Sequence, residues 1–132
     1  MYEVTIIKSF SAAHLLAQVG GKCEELHGHN FKVELSVGAE NLNTSGLLID
    51  FRLVKKWLGD ILEEIDHKHL NEIPFFAKLN PSAENVARFI AEKIEPKAKK
   101  EEVKVTRVKV WESENAYVTY KGKKTEERRP KT

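Results

Sequence analysis

Along residues 2–13 the apolar residues Val4, Ile6 and Phe10 occupy even positions among polar neighbours. That two-residue period predicts a half-buried strand ending near His14. A second strand is predicted over residues 27–39, where Phe31, Val33, Leu35 and Val37 alternate with Lys32, Glu34, Ser36 and Gly38. Its apolar face is the odd-numbered one. The intervening residues 15–25, with Gly20-Gly21, read as a loop. The period then lengthens: Phe51, Val54, Leu58, Ile61, Leu62 and Ile65 trace one helical face, and Asp50 stands where an N-cap belongs. Val86, Phe89, Ile90 and Ile94 mark a second helix, opened by Pro81 and Ser82. Pro96 is expected to end it because proline lacks an amide hydrogen, and the KAKKEE run that follows reads as an exposed connector.

The pattern of the third strand, residues 103–112, changes phase: Val103 and Val105 are odd, whereas Val108 and Val110 are even. One extra residue near Thr106, a β-bulge, would reconcile the halves. A fourth strand covers residues 116–121. The order ββααββ predicts an α+β fold, an antiparallel four-stranded sheet with both helices on one face. Its open edges invite assembly with other copies.

A chain of 132 residues suits one domain, taken as residues 1–121. Residues 122–132 form a basic stretch without apolar periodicity, expected to be disordered. The formal charge of +2 rests largely on this tail, which is weak ground for a nucleic-acid function. No apolar run reaches the roughly 20 residues of a membrane span, and the start lacks a signal-peptide core. The expected compartment is the cytoplasm, with neither nucleic acid nor membrane as partner. The single cysteine, Cys23, fits a reducing environment.

Chemistry concentrates in the string CEELHGHN at residues 23–30. His27 and His29 are two apart on a strand, so both imidazoles point to one side, and it is the side of Phe31 and Val33. Imidazoles buried without partners are costly, and a metal ion supplies a partner. His14, at the end of the preceding strand, lies within reach if the two strands pair. Three nitrogen ligands with an open fourth position are a usual arrangement for catalytic zinc. Ordinary hydrogen-bonded histidines are the alternative, and His67 with His69 forms a rival pair. Cys23 is either a base with a lowered pKa near the metal or a small buried hydrophobe. Asp66-His67 is either a polarised imidazole or a helix-end charge cluster. Glu112, beside Trp111, could accept paired hydrogen bonds from a polar heterocycle or simply meet solvent.

Six motifs occur in order: FSAAH at residues 10–14, CEELHGH at 23–29, GLLIDF at 46–51, DHKHLN at 66–71, NPSAEN at 80–85 and VWESENAYVTY at 110–120. Together they resemble the 6-pyruvoyl and 6-carboxy tetrahydropterin synthase family over roughly residues 2–121. The resemblance implies the tunnelling fold, in which subunits join edge to edge into a trimer, commonly stacked as a hexamer, with sites at subunit interfaces. It implies Zn2+ on His14, His27 and His29, and 7,8-dihydroneopterin triphosphate as substrate. Cys23 matches the catalytic base, Asp66 and His67 the proton-relay pair, and Glu112 the pterin anchor. Ser82 and Glu84 fall in the segment that helps form the pterin pocket. The three residues between Cys23 and His27 resemble the 6-carboxy branch, which releases triphosphate and acetaldehyde. The 6-pyruvoyl activity is an alternative. Glu24 resembles the glutamate of relatives that cleave the side chain toward 6-hydroxymethyl-dihydropterin. A non-catalytic pterin-binding zinc module is the remaining alternative.

Overall fold

The computed structural model describes residues 1–16 and 26–122, except the side chain of His27. Cys23, Glu24 and most of the basic tail lie outside the described residues. Strands β1 (Tyr2–His14) and β2 (His27–Ala39) pair along their whole lengths as an antiparallel hairpin, from Tyr2 opposite Ala39 to His14 opposite His27. Directly opposed residues share a sheet face. The even positions of β1 and the odd positions of β2 therefore turn inward together, with Ile6 opposite Leu35 and Phe10 stacked on Phe31 at 4.8 Å. Helix α1 (Phe51–Glu63) starts where predicted, because the Asp50 carboxylate accepts the Arg52 amide at 2.8 Å.

Two features of the middle of the chain depart from the prediction. The segment after α1 adds a two-residue strand, β3 (Lys68–His69), parallel to β1 at Ala12 and Ala13. The sheet is accordingly mixed and five-stranded, in the order β3-β1-β2-β4-β5, where β4 is Lys104–Ser113 and β5 is Ala116–Lys121. So short a strand carries no readable alternation. Helix α2 (Ala83–Lys100) also passes through Pro96, and the expected KAKKEE connector is its last turn and cap. The missing amide costs about 3 kcal/mol. Continuing the helix buries Ala98, and it ends in a paired-carbonyl cap: Val103 N–H donates to Ala98 C=O and Glu102 N–H to Lys99 C=O. Glu102 takes the left-handed φ of 62° that this cap requires.

The bulge forms at Thr106. Val105 faces Val37, and Arg107 faces Ser36, so Thr106 is the extra residue. Before it the odd residue Val105 is buried; after it the even residues Val108 and Val110 are. Both helices cover this inward face in one core with Phe31, Leu35, Leu58 and Ile90, all fully buried. No described helix is long and apolar enough to cross a membrane. Phe89 joins an aromatic cluster in the core, 2% exposed and within 5.1 Å of Phe75 and 5.7 Å of Phe76, ring centre to ring centre. Phe89→Ala should lower unfolding free energy by about 3–5 kcal/mol in a denaturant titration. A loss under about 1 kcal/mol would show that this cluster is loosely packed.

Candidate metal centre and adjoining cleft

His14 ends β1 on the inward face and is 1% exposed. Burial of an imidazole demands partners for both nitrogens. Its Nδ1 lies 2.8 Å from the Pro81 carbonyl, at the entry to α2. A carbonyl only accepts, so Nδ1 carries the proton and Nε2 presents its lone pair, the tautomer a metal ligand needs. His29 follows two residues after the register partner of His14, a diagonal neighbour on the same face. The rings meet edge to face with centres 5.1 Å apart. The backbone of His27 lies directly opposite His14.

Glu112 joins them from β4. It continues the even phase of Val108 and Val110, and a second register shift between Trp111 and Ser113 leaves it outside the regular pairing with β5. The donor atoms of His14, His29 and Glu112 all lie within 4.8 Å of one another. Two imidazoles with a carboxylate suit a borderline divalent metal, which such donors hold at about 2.0–2.2 Å. The rival pair His67 and His69 forms no such group among the described residues.

A cleft of about 550 Å³ opens beside the cluster, lined by Ser11, Ala13, Gly28, His29, His67 and His69 among others. Asp66 and His67 are tied to its wall through Ser11. The Ser11 amide donates to the Asp66 carboxylate at 2.9 Å, and the His67 amide donates to the Ser11 carbonyl. This holds His67 at a left-handed φ of 58°, a conformation costing about 1–2 kcal/mol outside glycine. The His67 ring is 80% exposed, with Nδ1 3.2 Å from Asp66 Oδ1. The Ser11 amide holds the Asp66 carboxyl below its ordinary value, partial burial opposes the shift, and the His67 charge adds to it.

Ser82 caps α2, its hydroxyl accepting the Asn85 amide at 3.1 Å, and Glu84 is exposed on the first helical turn. Neither belongs to the three-residue cluster. Two contributors were not singled out in the sequence: Pro81, which acts through its carbonyl, and Asn71. The Asn71 amide group clamps Leu15, accepting from its N–H at 2.8 Å and donating to its C=O at 2.9 Å, so the chain leaving His14 is fixed. The DHKHLN motif contains Asn71 but gives no hint of that clamp.

The Asp66 charge has a pH signature. Because its folded pKa is depressed, its stabilisation is complete above the ordinary value of 3.8 and disappears as pH falls through the lower folded value. Asp66→Asn, whose side-chain oxygen can still accept from Ser11, should flatten the acid limb of stability against pH. Identical limbs for both proteins, measured by urea midpoints, would exclude a contribution from this charge.

The sequence and the fold have counterparts in known proteins. The family described as 6-pyruvoyl tetrahydropterin synthase matches residues 3–123. The chain is 30% identical to the 6-carboxy-5,6,7,8-tetrahydropterin synthase of Rickettsia bellii, covering 89% of this chain and 99% of that one. It is 38% identical to the dihydroneopterin monophosphate aldolase of Pyrococcus furiosus, over 79% of this chain and 83% of the relative. The structure of Caenorhabditis elegans 6-pyruvoyl tetrahydropterin synthase superposes with a TM-score of 0.78 at 31% identity, over 93% of this chain and 98% of the other. A match spanning nearly the whole chain in both sequence and fold places this protein in the 6-pyruvoyl tetrahydropterin synthase family, as an enzyme of its lyase type.

Proposed function

We propose that the chain holds zinc on His14, His27 and His29 and converts 7,8-dihydroneopterin triphosphate to 6-carboxy-5,6,7,8-tetrahydropterin, releasing triphosphate and acetaldehyde. The observation that carries this reading is the convergence of His14, His29 and Glu112 within 4.8 Å, beside a cleft walled by His67. The donor set suits zinc, and the Pro81 carbonyl already selects the ligating tautomer of His14. Bound there, zinc supplies the positive charge that eases proton removal from a hydroxyl-bearing side chain.

The remaining roles fall to the protein. With His27 completing the imidazole trio, the Glu112 carboxylate is left to accept paired hydrogen bonds from the pterin ring. Cys23 is the base that takes a proton from the substrate side chain. Asp66 orients His67, whose exposed ring carries protons to or from a substrate bound at a neighbouring subunit. Ser82 and Glu84 shape the pterin pocket through the start of α2, whose Pro81 also holds His14. Assembly into a trimer or hexamer is supported by free edges: β3 covers β1 only at Ala12 and Ala13, and the outer edge of β5 meets no strand among the described residues.

The 6-carboxy product is favoured by the Rickettsia relative and by the three-residue gap between Cys23 and His27. The Pyrococcus relative favours a second reading, in which Glu24 serves as base and the side chain is cleaved toward 6-hydroxymethyl-dihydropterin. Mass spectrometry of products from dihydroneopterin triphosphate and monophosphate separates them. Cys23→Ala should retain zinc and lose turnover by about 100-fold or more, whereas His29→Ala should lose both zinc, by elemental analysis, and turnover. Full activity of Cys23→Ala, with a hydroxymethyl product that vanishes in Glu24→Ala, would establish the second reading instead. Light scattering should give the mass of a trimer or hexamer; a monomeric active enzyme would refute sites shared between subunits.

A further inference from the structure

The helices cover one face of the sheet and leave the other bare. On that bare face directly opposed residues form rows: Ser9, Lys32, Trp111 and Tyr117 in one, and Ser36, Arg107 and Lys121 in another. Between them Glu34 and Lys109 stand side by side. The positive residues Lys32, Arg107, Lys109 and Lys121 outnumber the carboxylates of the face, Glu3 and Glu34. Both carboxylates are engaged. Glu3 pairs with Arg107 at 3.1 Å, and Glu34 accepts the Trp111 indole N–H at 2.7 Å.

Lys32 and Lys109 enter no ion pair among the described residues. Each is held over an aromatic ring, Lys32 4.3 Å from the centre of Trp111 and Lys109 5.0 Å from that of Tyr117. The two rings pack on each other at 4.2 Å. Cation–π contact positions an ammonium group without neutralising it. The register makes Lys32, Lys109 and Lys121 successive diagonal neighbours across β2, β4 and β5, each step about 7–8 Å between backbones. Three lysines set at that backbone spacing spread positive charge over more than the span of a single phosphate, which suits an extended, multiply charged anion. A separate hollow of about 350 Å³, lined by Asn30, Lys32, Trp111, Ser113 and Glu114, opens at one end of the line. Glu114 there disfavours anions at the hollow itself, so the diagonal is the seat.

From this arrangement we infer that the bare sheet face binds a linear oligophosphate along Lys32, Lys109 and Lys121, at a place separate from the histidine cluster. The same chemistry is offered by free inorganic triphosphate and by the phosphate tail of a nucleotide. Calorimetric titration of the intact protein with sodium triphosphate at low salt should show binding that weakens at least tenfold in Lys32→Gln/Lys109→Gln. It should also weaken as salt rises, because these cations face solvent. A charge-matched control, Lys97→Gln/Lys99→Gln on α2, should stay within about twofold of wild type. Adenosine triphosphate binding as tightly as triphosphate identifies the phosphates as the element read; tighter binding of the nucleotide adds its base, stacked near Tyr117, as a second contact. The inference is overturned if the control pair weakens binding equally, or if binding survives in the sheet variant and vanishes in His29→Ala, which would put the anion at the histidine cluster. Tight binding of a single-stranded oligoribonucleotide with indifference to triphosphate would overturn it in favour of a nucleic-acid surface.

Discussion

Everything at the candidate site depends on the alternation of side chains along strands and on one interruption of it. Because successive residues of a strand face opposite sides, shifting the count by one moves every later side chain to the other face. Val105 is buried before the Thr106 bulge and Val110 after it. Without the extra residue, keeping Val105 inward would turn Val108, Val110 and Glu112 together to the bare face, away from His14 and His29. The bulge is thus a condition for the core and for the three-donor cluster at once. Gly122 supports it from β5's end, donating its amide to the Thr106 carbonyl at 2.9 Å, and a side chain at residue 122 would collide with the Val105 carbonyl.

A buried imidazole links the sheet to the helical layer. His14 is on the last inward position of β1, yet its tautomer is set by Pro81, far along the chain at the start of α2. Ser82 then caps that helix. The orientation of a candidate ligand and the first turn of a core helix are therefore positioned by neighbouring residues. Asn71 fixes the chain just beyond His14, and Ser11 holds Asp66 and His67 on the adjoining wall. Three points of the α1–α2 connection, at Asp66–His67, Asn71 and Pro81, converge on the last residues of β1.

The two faces of the sheet divide the work. The inward face carries valines, phenylalanines and, at its open end, the ligand cluster; the bare face carries lysines ordered by aromatic rings. Alternation alone makes such a division possible in one strand, since Trp111 and Glu112 are adjacent in β4 and serve opposite faces. Trp111 ties down Glu34, and Glu112 meets the histidines.

The sequence by itself determined the long strands, both helix starts and the bulge, because each is written in local periodicity or in a cap such as Asp50 or Ser82. It also singled out His14 and His29 as candidate ligands and Glu112 as a candidate acceptor of paired hydrogen bonds, whereas the grouping of Glu112 with the two histidines came from the fold. Tertiary structure decided what local signals cannot carry. Packing of Ala98 drew α2 past Pro96, against its own backbone preference. Pairing with β1 made a strand of Lys68–His69, too short to show a period. The carbonyl that orients His14 and the amide that holds Asp66 are backbone groups, common to almost every residue. Only the folded chain selects which of them meets which side chain.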